Sequence, residues 1–195
     1  MTDANAREKP DPADAPYIAD TRQWIEQAVI GLNLCPFARA PYLGGRVCFR
    51  VSHARDVDGL LDDLCGELQS LHAAEPDDCE TSLLIAPFVL GDFLDFNDFL
   101  DSADAAIDVL KLDGVIQIAS FHPHYCFAES SPQDIENCTN RSPWPILHLL
   151  RETSIERAVD SITDPDAIYR RNVDTLRTLG WDGWARLWRS GVPRE

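Results

Sequence analysis

Lysine is almost missing from this chain: of its 17 basic residues only Lys9 and Lys111 are lysine, so arginine carries nearly all the positive charge. No apolar run approaches the length needed to span a bilayer, which argues against a membrane role. The opening residues MTDANAREKPDPADAP contain no apolar core segment of the secretory kind, so a cytoplasmic protein is expected. No glycine-rich phosphate loop or dinucleotide fingerprint follows any apolar run, and no nucleotide is expected. Paired CxxC clusters are also missing, which removes the strongest signature of a structural zinc site.

What is there begins with acid. The formal charge is −16, which would repel a phosphate backbone and argues strongly against general nucleic-acid binding. The charge is uneven: residues 141–195 hold nine arginines against eight acids, so the first 140 residues carry the excess of acid. Arginine's planar fork suits bidentate capture of carboxylate or phosphate, so a small anionic partner stays open despite the global charge. The six cysteines, Cys35, Cys48, Cys65, Cys79, Cys126 and Cys138, are expected as reduced thiols in a cytoplasmic setting.

At 195 residues the chain is long enough to bury one sizeable core. Residues 1–18, rich in Asp, Ala and Pro, read as a disordered tail, and 19–195 as a single α/β domain. A helix is expected from Asp20, capped by its carboxylate and by Gln23, with Trp24, Ile25, Ala28, Val29 and Leu32 inward. It should end by Cys35, because Pro36 disfavours helical geometry before it. Val47, Phe49 and Val51 alternate with Arg46, Cys48 and Arg50 as in a strand with one buried face. Val57, Leu60, Leu61, Leu64, Cys65, Leu68 and Leu71 mark an amphipathic helix, and Leu83–Ala86 a strand covered on both faces. Phe96, Phe99, Leu100, Ala103 and Ile107 define the inner face of the next helix; Asp98, Asp101, Asp104 and Asp108 form its solvated face rather than a metal site.

Val115–Ser120 is the third strand. Strands alternating with helices imply right-handed crossovers and a mainly parallel sheet from a β-α-β-α-β core, three-stranded, or four-stranded if the chain after residue 121 adds one. A helical C-terminal third should follow. Pro143–Arg151 reads as a helix, Thr153 and Glu156 box another through Ile162, Asp164 and Pro165 start a third that stops at Gly180, and a short last helix carries Trp184, Leu187 and Trp188.

The chemistry-bearing residues concentrate after the third strand. In open parallel sheets ligands bind beyond the carboxyl ends of the strands, a rim that would take His53, His122 and His124. His122, His124 and Cys126, each two apart on an extended segment, could present two imidazoles and a thiolate to zinc or iron, with a fourth ligand from elsewhere. Each histidine has a plainer reading as a hydrogen-bonded structural residue. Cys35 has two: at the start of a short helix opened by Pro36 the dipole favours a thiolate, whereas at the end of the preceding helix it leaves the thiol inert. Asn140, Arg141 and Ser142 precede the expected helix that bears His148 and Arg151 on one face, and an anion there would meet the guanidinium, the hydroxyl and free amides. Alternatively Asn140 and Arg141 tie the long loop to backbone carbonyls.

The strings TRQWIEQAVIGLNLCPFARAP, FLDFNDFLD, IQIASFHPHYCFA, DIENCTNRSPWPILHLLRE and RNVDTLRTLG, in this order, resemble the bacterial family catalogued as domain of unknown function 1415. The resemblance runs from Thr21 to Trp188 and implies no reaction, cofactor or site. The family's LCPF, FHP and NRSP strings correspond here to Cys35, His122 and Arg141, while His124, Cys126 and Cys138 fall outside them.

These residues set the expectation of an enzyme acting on a small anionic metabolite. His122 would be acid or base, Cys35 nucleophile or redox thiol, His148 an orienting group and Tyr125 a proton donor, with Asn140, Arg141, Ser142 and Arg151 binding the anion. Two other classes stay in view: a zinc or iron protein centred on His122, and an adaptor that docks a partner through Trp181, Trp184 and Trp188. The enzyme reading requires Cys35, His122 and Arg141 to line one pocket.

Overall fold

A computed structural model describes residues 11–159 and 165–187. The first helix, α1 (Ala15–Trp24), runs on through a π-helical stretch, Ile25–Ile30, and α2 (Arg39–Leu43) follows after a turn. Then come β1 (Val47–Val51), α3 (Val57–Ala73), β2 (Thr81–Ile85), α4 (Phe93–Val109) and β3 (Ile116–Phe121). A 3₁₀ turn at Ile135–Thr139 leads into β4 (Ile146–Arg151), α5 (Glu152–Val159) and α6 (Pro165–Leu187), which kinks where Gly180 takes φ 65°.

The two central helices form where sequence and capping agree. Asp56 accepts the Gly59 amide at 2.8 Å to start α3, and Asp92 accepts those of Leu94 and Asp95 to start α4, each satisfying amides the first turn leaves unpaired. Leu60, Leu64, Leu68 and Leu71 of α3 then meet Phe96, Phe99, Ala103 and Ile107 of α4 in one buried cluster against Leu84, Leu147 and Leu149 of the sheet. Asp98, Asp101, Asp104 and Asp108 face solvent, as expected. On the opposite face Ile18, Trp24, Ile25 and Ala28 join Leu83, Ile85, Ile146 and, from α6, Leu176 and Trp184. Two helical layers therefore sandwich a sheet whose side chains alternate between them.

The sheet order is β1-β2-β4-β3, with β1 and β2 parallel and β4 antiparallel to both β2 and β3. The fold is α/β with a helical C-terminal part and a fourth strand, but the sheet is not mainly parallel. The α4 crossover carries β3 two strand positions beyond β2, and β4 fills the gap between them. The segment expected as a helix at Pro143–Arg151 is that strand. Pro143 and Pro145 precede it, and Ile146, His148 and Leu150 face one layer while Leu147, Leu149 and Arg151 face the other. A strand covered on both faces loses the polar-apolar alternation that would have identified it.

Four further expectations are corrected. The first helix begins at Ala15 rather than Asp20, and the chain is held from Asp14: His53 Nε2 lies 2.7 Å from Asp14 Oδ1, and Tyr17 packs edge-on against Phe88 and Trp144. Asp20 lies inside α1 and caps nothing, and residues 11–18 belong to the folded unit. Not all cysteines are reduced, since Cys48 of β1 and Cys79, just before β2, form a disulfide with Cα atoms 5.9 Å apart, leaving Cys35, Cys65, Cys126 and Cys138 free. Cys35 neither ends a helix nor opens one: its amide donates to Val29 O and its carbonyl accepts from Ala38 in the turn before α2. The expectations for Ile162, Asp164 and Trp188 lie outside the described residues.

Candidate functional site

A cavity of about 330 Å³ opens on the sheet face away from α3 and α4. Its floor follows the strand register in two ranks: Leu83, His148 and Ala119 stand side by side on β2, β4 and β3, and Thr81, Leu150 and Gln117 form the next rank. Trp24, Ile25 and Val29 of the first helix, together with Cys35, Phe37 and Tyr42, close it from above, and Ser154 and Ile155 of α5 flank it. Ala119 opposite His148 matters: a small side chain at the cross-strand position leaves one flank of the imidazole free of packing. The π-helical stretch contributes Ile25 and Val29, consistent with the tendency of such irregular turns to sit at sites.

His148 is the polar centre of the floor. Thr81 Oγ1 donates to Leu149 O at 2.6 Å and lies 2.7 Å from His148 Nε2. A carbonyl has no proton to give, so the single hydroxyl proton of Thr81 is used there, and Nε2 must be the donor to Oγ1. Burial pushes the imidazole pKa down to about 4, so the ring is neutral at pH 7. Phe121 lies against it with ring centroids 6.2 Å apart, and Trp24 packs on Phe121 at 5.1 Å.

Each charged side chain along the cavity has a partner, though Glu80 Oε2 and Arg151 Nε are buried without a hydrogen bond of their own. Glu80 pairs with Arg46 at 2.8 Å. Arg151, only 8% exposed, turns to the other face of the sheet, where Nη2 donates to Leu71 O and Ala74 O, both at 2.6 Å, and to Cys79 O at 3.3 Å. Those first two carbonyls close the end of α3, where a cation complements the helix dipole. The Tyr42 hydroxyl donates to Glu26 Oε1 at 2.5 Å.

The structure thus brings together Cys35 and His148, with Arg151 at the margin, but not the trio of Cys35, His122 and Arg141. His122 faces α4 and is fully buried, its ring against Phe93 and Phe96. Its Nε2 donates to Leu90 O at 3.1 Å and its Nδ1 accepts the His124 amide at 3.0 Å, so both nitrogens are committed to backbone. Burial lowers its pKa to about 4, a neutral clamp between β3 and the turn at Leu90, whose φ of 57° needs such holding. Arg141 donates from Nε to Tyr125 O and from Nη2 to Pro132 O, and its guanidinium stands 5.3 Å over the Trp181 ring. Asn140 donates to Ser120 O, and the Ser142 hydroxyl donates to Trp144 O. These are the contacts of a tied loop; with no helix after Ser142, the expected amide-rich anion site does not form there. Nor do His148 and Arg151 share a face, since residues three apart on a strand point oppositely.

Tyr125 packs between Phe93 and Phe127, outside the cavity. Cys126 Sγ contacts Phe127 O and Ser130, and among the described residues no group of three His, Cys, Asp or Glu is placed to hold a metal ion, so the His122-His124-Cys126 set is not assembled. Of the tryptophans, Trp184 is buried and Trp181 donates Nε1 to Gln133 O beneath Arg141. No described helix is long and apolar enough to cross a membrane. The site also lies away from the rim that the parallel-sheet rule indicated: Thr81 and Gln117 open β2 and near the start of β3, so the cavity spreads over the face toward the amino ends of those strands. Thr81, Gln117 and Trp24 escaped sequence reasoning because only strand register and the first helix's docking give them a common wall.

The chain belongs to the family described as Protein of unknown function (DUF1415), whose family model matches residues 16–186. A stretch of 53 residues is 42% identical to part of the glycine betaine reductase ATRR of Emericella nidulans, an alignment that covers 23% of this chain and 4% of that protein. The chain therefore spans a small fraction of the length of this curated relative. No solved structure matches it.

Proposed function

We propose that this member of the family is an enzyme whose substrate is a small molecule held in the sheet-face cavity, with His148 as its acid-base group and Cys35 as a thiol presented to the bound molecule. The observation that carries the reading is that Cys35 and His148, remote in sequence, line the same hollow. A neutral imidazole fixed through one nitrogen by Thr81 has an open lone pair on the other, which can accept a hydrogen bond or a proton from the bound molecule. Aromatic and aliphatic walls make the hollow largely apolar and strengthen any hydrogen bond made inside. Cys35 supports nucleophilic attack on an electrophilic carbon of the substrate, the C–S bond forming as the bond to the leaving group breaks and the thiol proton departs with that group.

The anion-binding part of the expectation finds less support than the acid-base part, because Arg141 lies outside the cavity on the carbonyls of Tyr125 and Pro132, and Arg151 stands at its margin with Nη2 donating to carbonyls on the other face. The test is a thermal-shift screen of metabolites against wild type, Cys35→Ala, His148→Gln, and Arg141→Ala as a control outside the cavity. A ligand whose stabilisation falls in the two cavity variants and persists in Arg141→Ala supports the reading. A ligand that loses its effect only in Arg141→Ala moves the site to the loop after β3 and sinks it.

A further inference from the structure

The proton assignment at His148 specifies what its ligand must carry. We infer that the cavity binds an uncharged molecule with an apolar body and a hydrogen-bond donor head, a hydroxyl or an amide N–H, that donates to His148 Nδ1. The inference rests on the reading of the cavity as the working site and deepens it to a ligand class.

Because Thr81 Oγ1 gives its proton to Leu149 O, His148 must hold a proton on Nε2 to complete the 2.7 Å bond to Thr81. The lone pair of the neutral ring then lies on Nδ1. That atom has no hydrogen-bond partner among the described residues, and it is not one of their sealed polar atoms without a partner, so it keeps accessible surface. The surface that His148 exposes is cavity wall. An acceptor in an apolar hollow is stabilised by a donor and penalised by a second acceptor such as a carboxylate oxygen.

The remaining lining agrees. Tyr42 has spent its hydroxyl proton on Glu26, and Arg151, whose Nη2 donates to three carbonyls on the other face while its Nε is buried without a partner, stands only at the cavity margin. Glu80 is ion-paired with Arg46 at 2.8 Å, so the carboxylate of the lining already has a cation beside it. Gln117, which can present either end of its amide, lies on the same floor and discriminates against neither. Burial independently holds the ring in its neutral form.

Four probes that share one body test this: 3-phenylpropan-1-ol, its methyl ether, 3-phenylpropanoate and 3-phenylpropylamine, titrated at pH 7.5 into protein with ¹⁵N-labelled histidine. In the free protein the His148 resonances should report the Nε2–H tautomer. The alcohol should bind at least about tenfold tighter than the ether, which lacks the donor, and than the two charged probes, and should move Nδ1 while leaving Nε2 nearly in place. A Nδ1–H tautomer, or tighter binding of the carboxylate or the amine, overturns the ligand class. Ala119→Trp, which fills the space beside His148, separates the two levels of the argument. Probe binding that survives it removes the cavity as the site and takes the enzyme reading with it. Binding lost in Ala119→Trp while wild type prefers the carboxylate sinks only the ligand class.

Discussion

Lowering the pH should unfold this protein in part through the neutrality of its two buried imidazoles, and His148 is the one whose share can be isolated. Its ring has a pKa of about 4 in the folded chain against an ordinary 6.5. Above pH 6.5 both states are neutral and the group contributes nothing to pH dependence. As the pH falls from 6.5 towards 4, the unfolded chain takes up a proton that the folded chain refuses, and stability is lost at up to about 1.4 kcal/mol per pH unit. The full window corresponds to about 3 kcal/mol for this one group, a large fraction of a typical domain's stability. The groups along its cavity do not reverse the sign: Glu80 is held by Arg46, Arg151 by backbone carbonyls and Tyr42 by Glu26. Asp20, whose pKa burial raises, acts in the opposite direction but equally in any pair of variants. Urea unfolding of wild type and His148→Gln between pH 7 and 4.5 therefore isolates the term. The wild-type stability should fall more steeply, by about 1.4 kcal/mol per pH unit at the midpoint of the window, whatever the variant costs at pH 7. Parallel slopes would refute the neutral imidazole, and with it the assignment of a free Nδ1 lone pair.

Three other outcomes follow from particular contacts. Arg151→Met leaves the carbonyls of Leu71, Ala74 and Cys79 without their shared donor and should cost about 3 kcal/mol in urea unfolding; a loss below about 1 kcal/mol would mean that water replaces the guanidinium. Arg141→Ala releases Tyr125 O and Pro132 O, so limited proteolysis should cut the segment between residues 126 and 134 faster, while alkylation of Cys35 keeps its wild-type rate; an altered Cys35 rate would couple loop and cavity. Thiol titration of the unfolded, unreduced protein should count four thiols, Cys35, Cys65, Cys126 and Cys138, and six after reduction; a count of six before reduction removes the Cys48–Cys79 bond.

Where local pattern and burial agree, the chain was readable. The α3 and α4 stripes were found because an amphipathic helix with one face on the core writes its period into the sequence, and β1 likewise shows its alternation. β4 was misread because its two faces are both covered, one by Leu147 and Leu149 against the α3–α4 cluster and one by Ile146 and the cavity, so ILHLLR carries no alternation and its leucines suggest a helix. That one error moved His148 off the floor of the cavity, paired it with Arg151, and supplied Arg141 with a helix start that does not exist. Asn140 and Arg141 were caught in their alternative role, as ties for the loop, since their donors can reach nearby carbonyls whatever the fold.

The residues alone determined β1, α3, β2, α4 and β3, the overall acidity, and Cys35 and His148 as candidates, because helix and strand period and residue chemistry are local properties. Which of those candidates meet was settled by tertiary structure. The direction and place of β4 set His148 beside Ala119 and Thr81, and the docking of the first helix brought Cys35 over the same floor. The path of β3 turned His122 away to be sealed by backbone. Strand order and register join residues far apart in the chain, and no local pattern encodes a contact that depends on which strand fills the gap between two others.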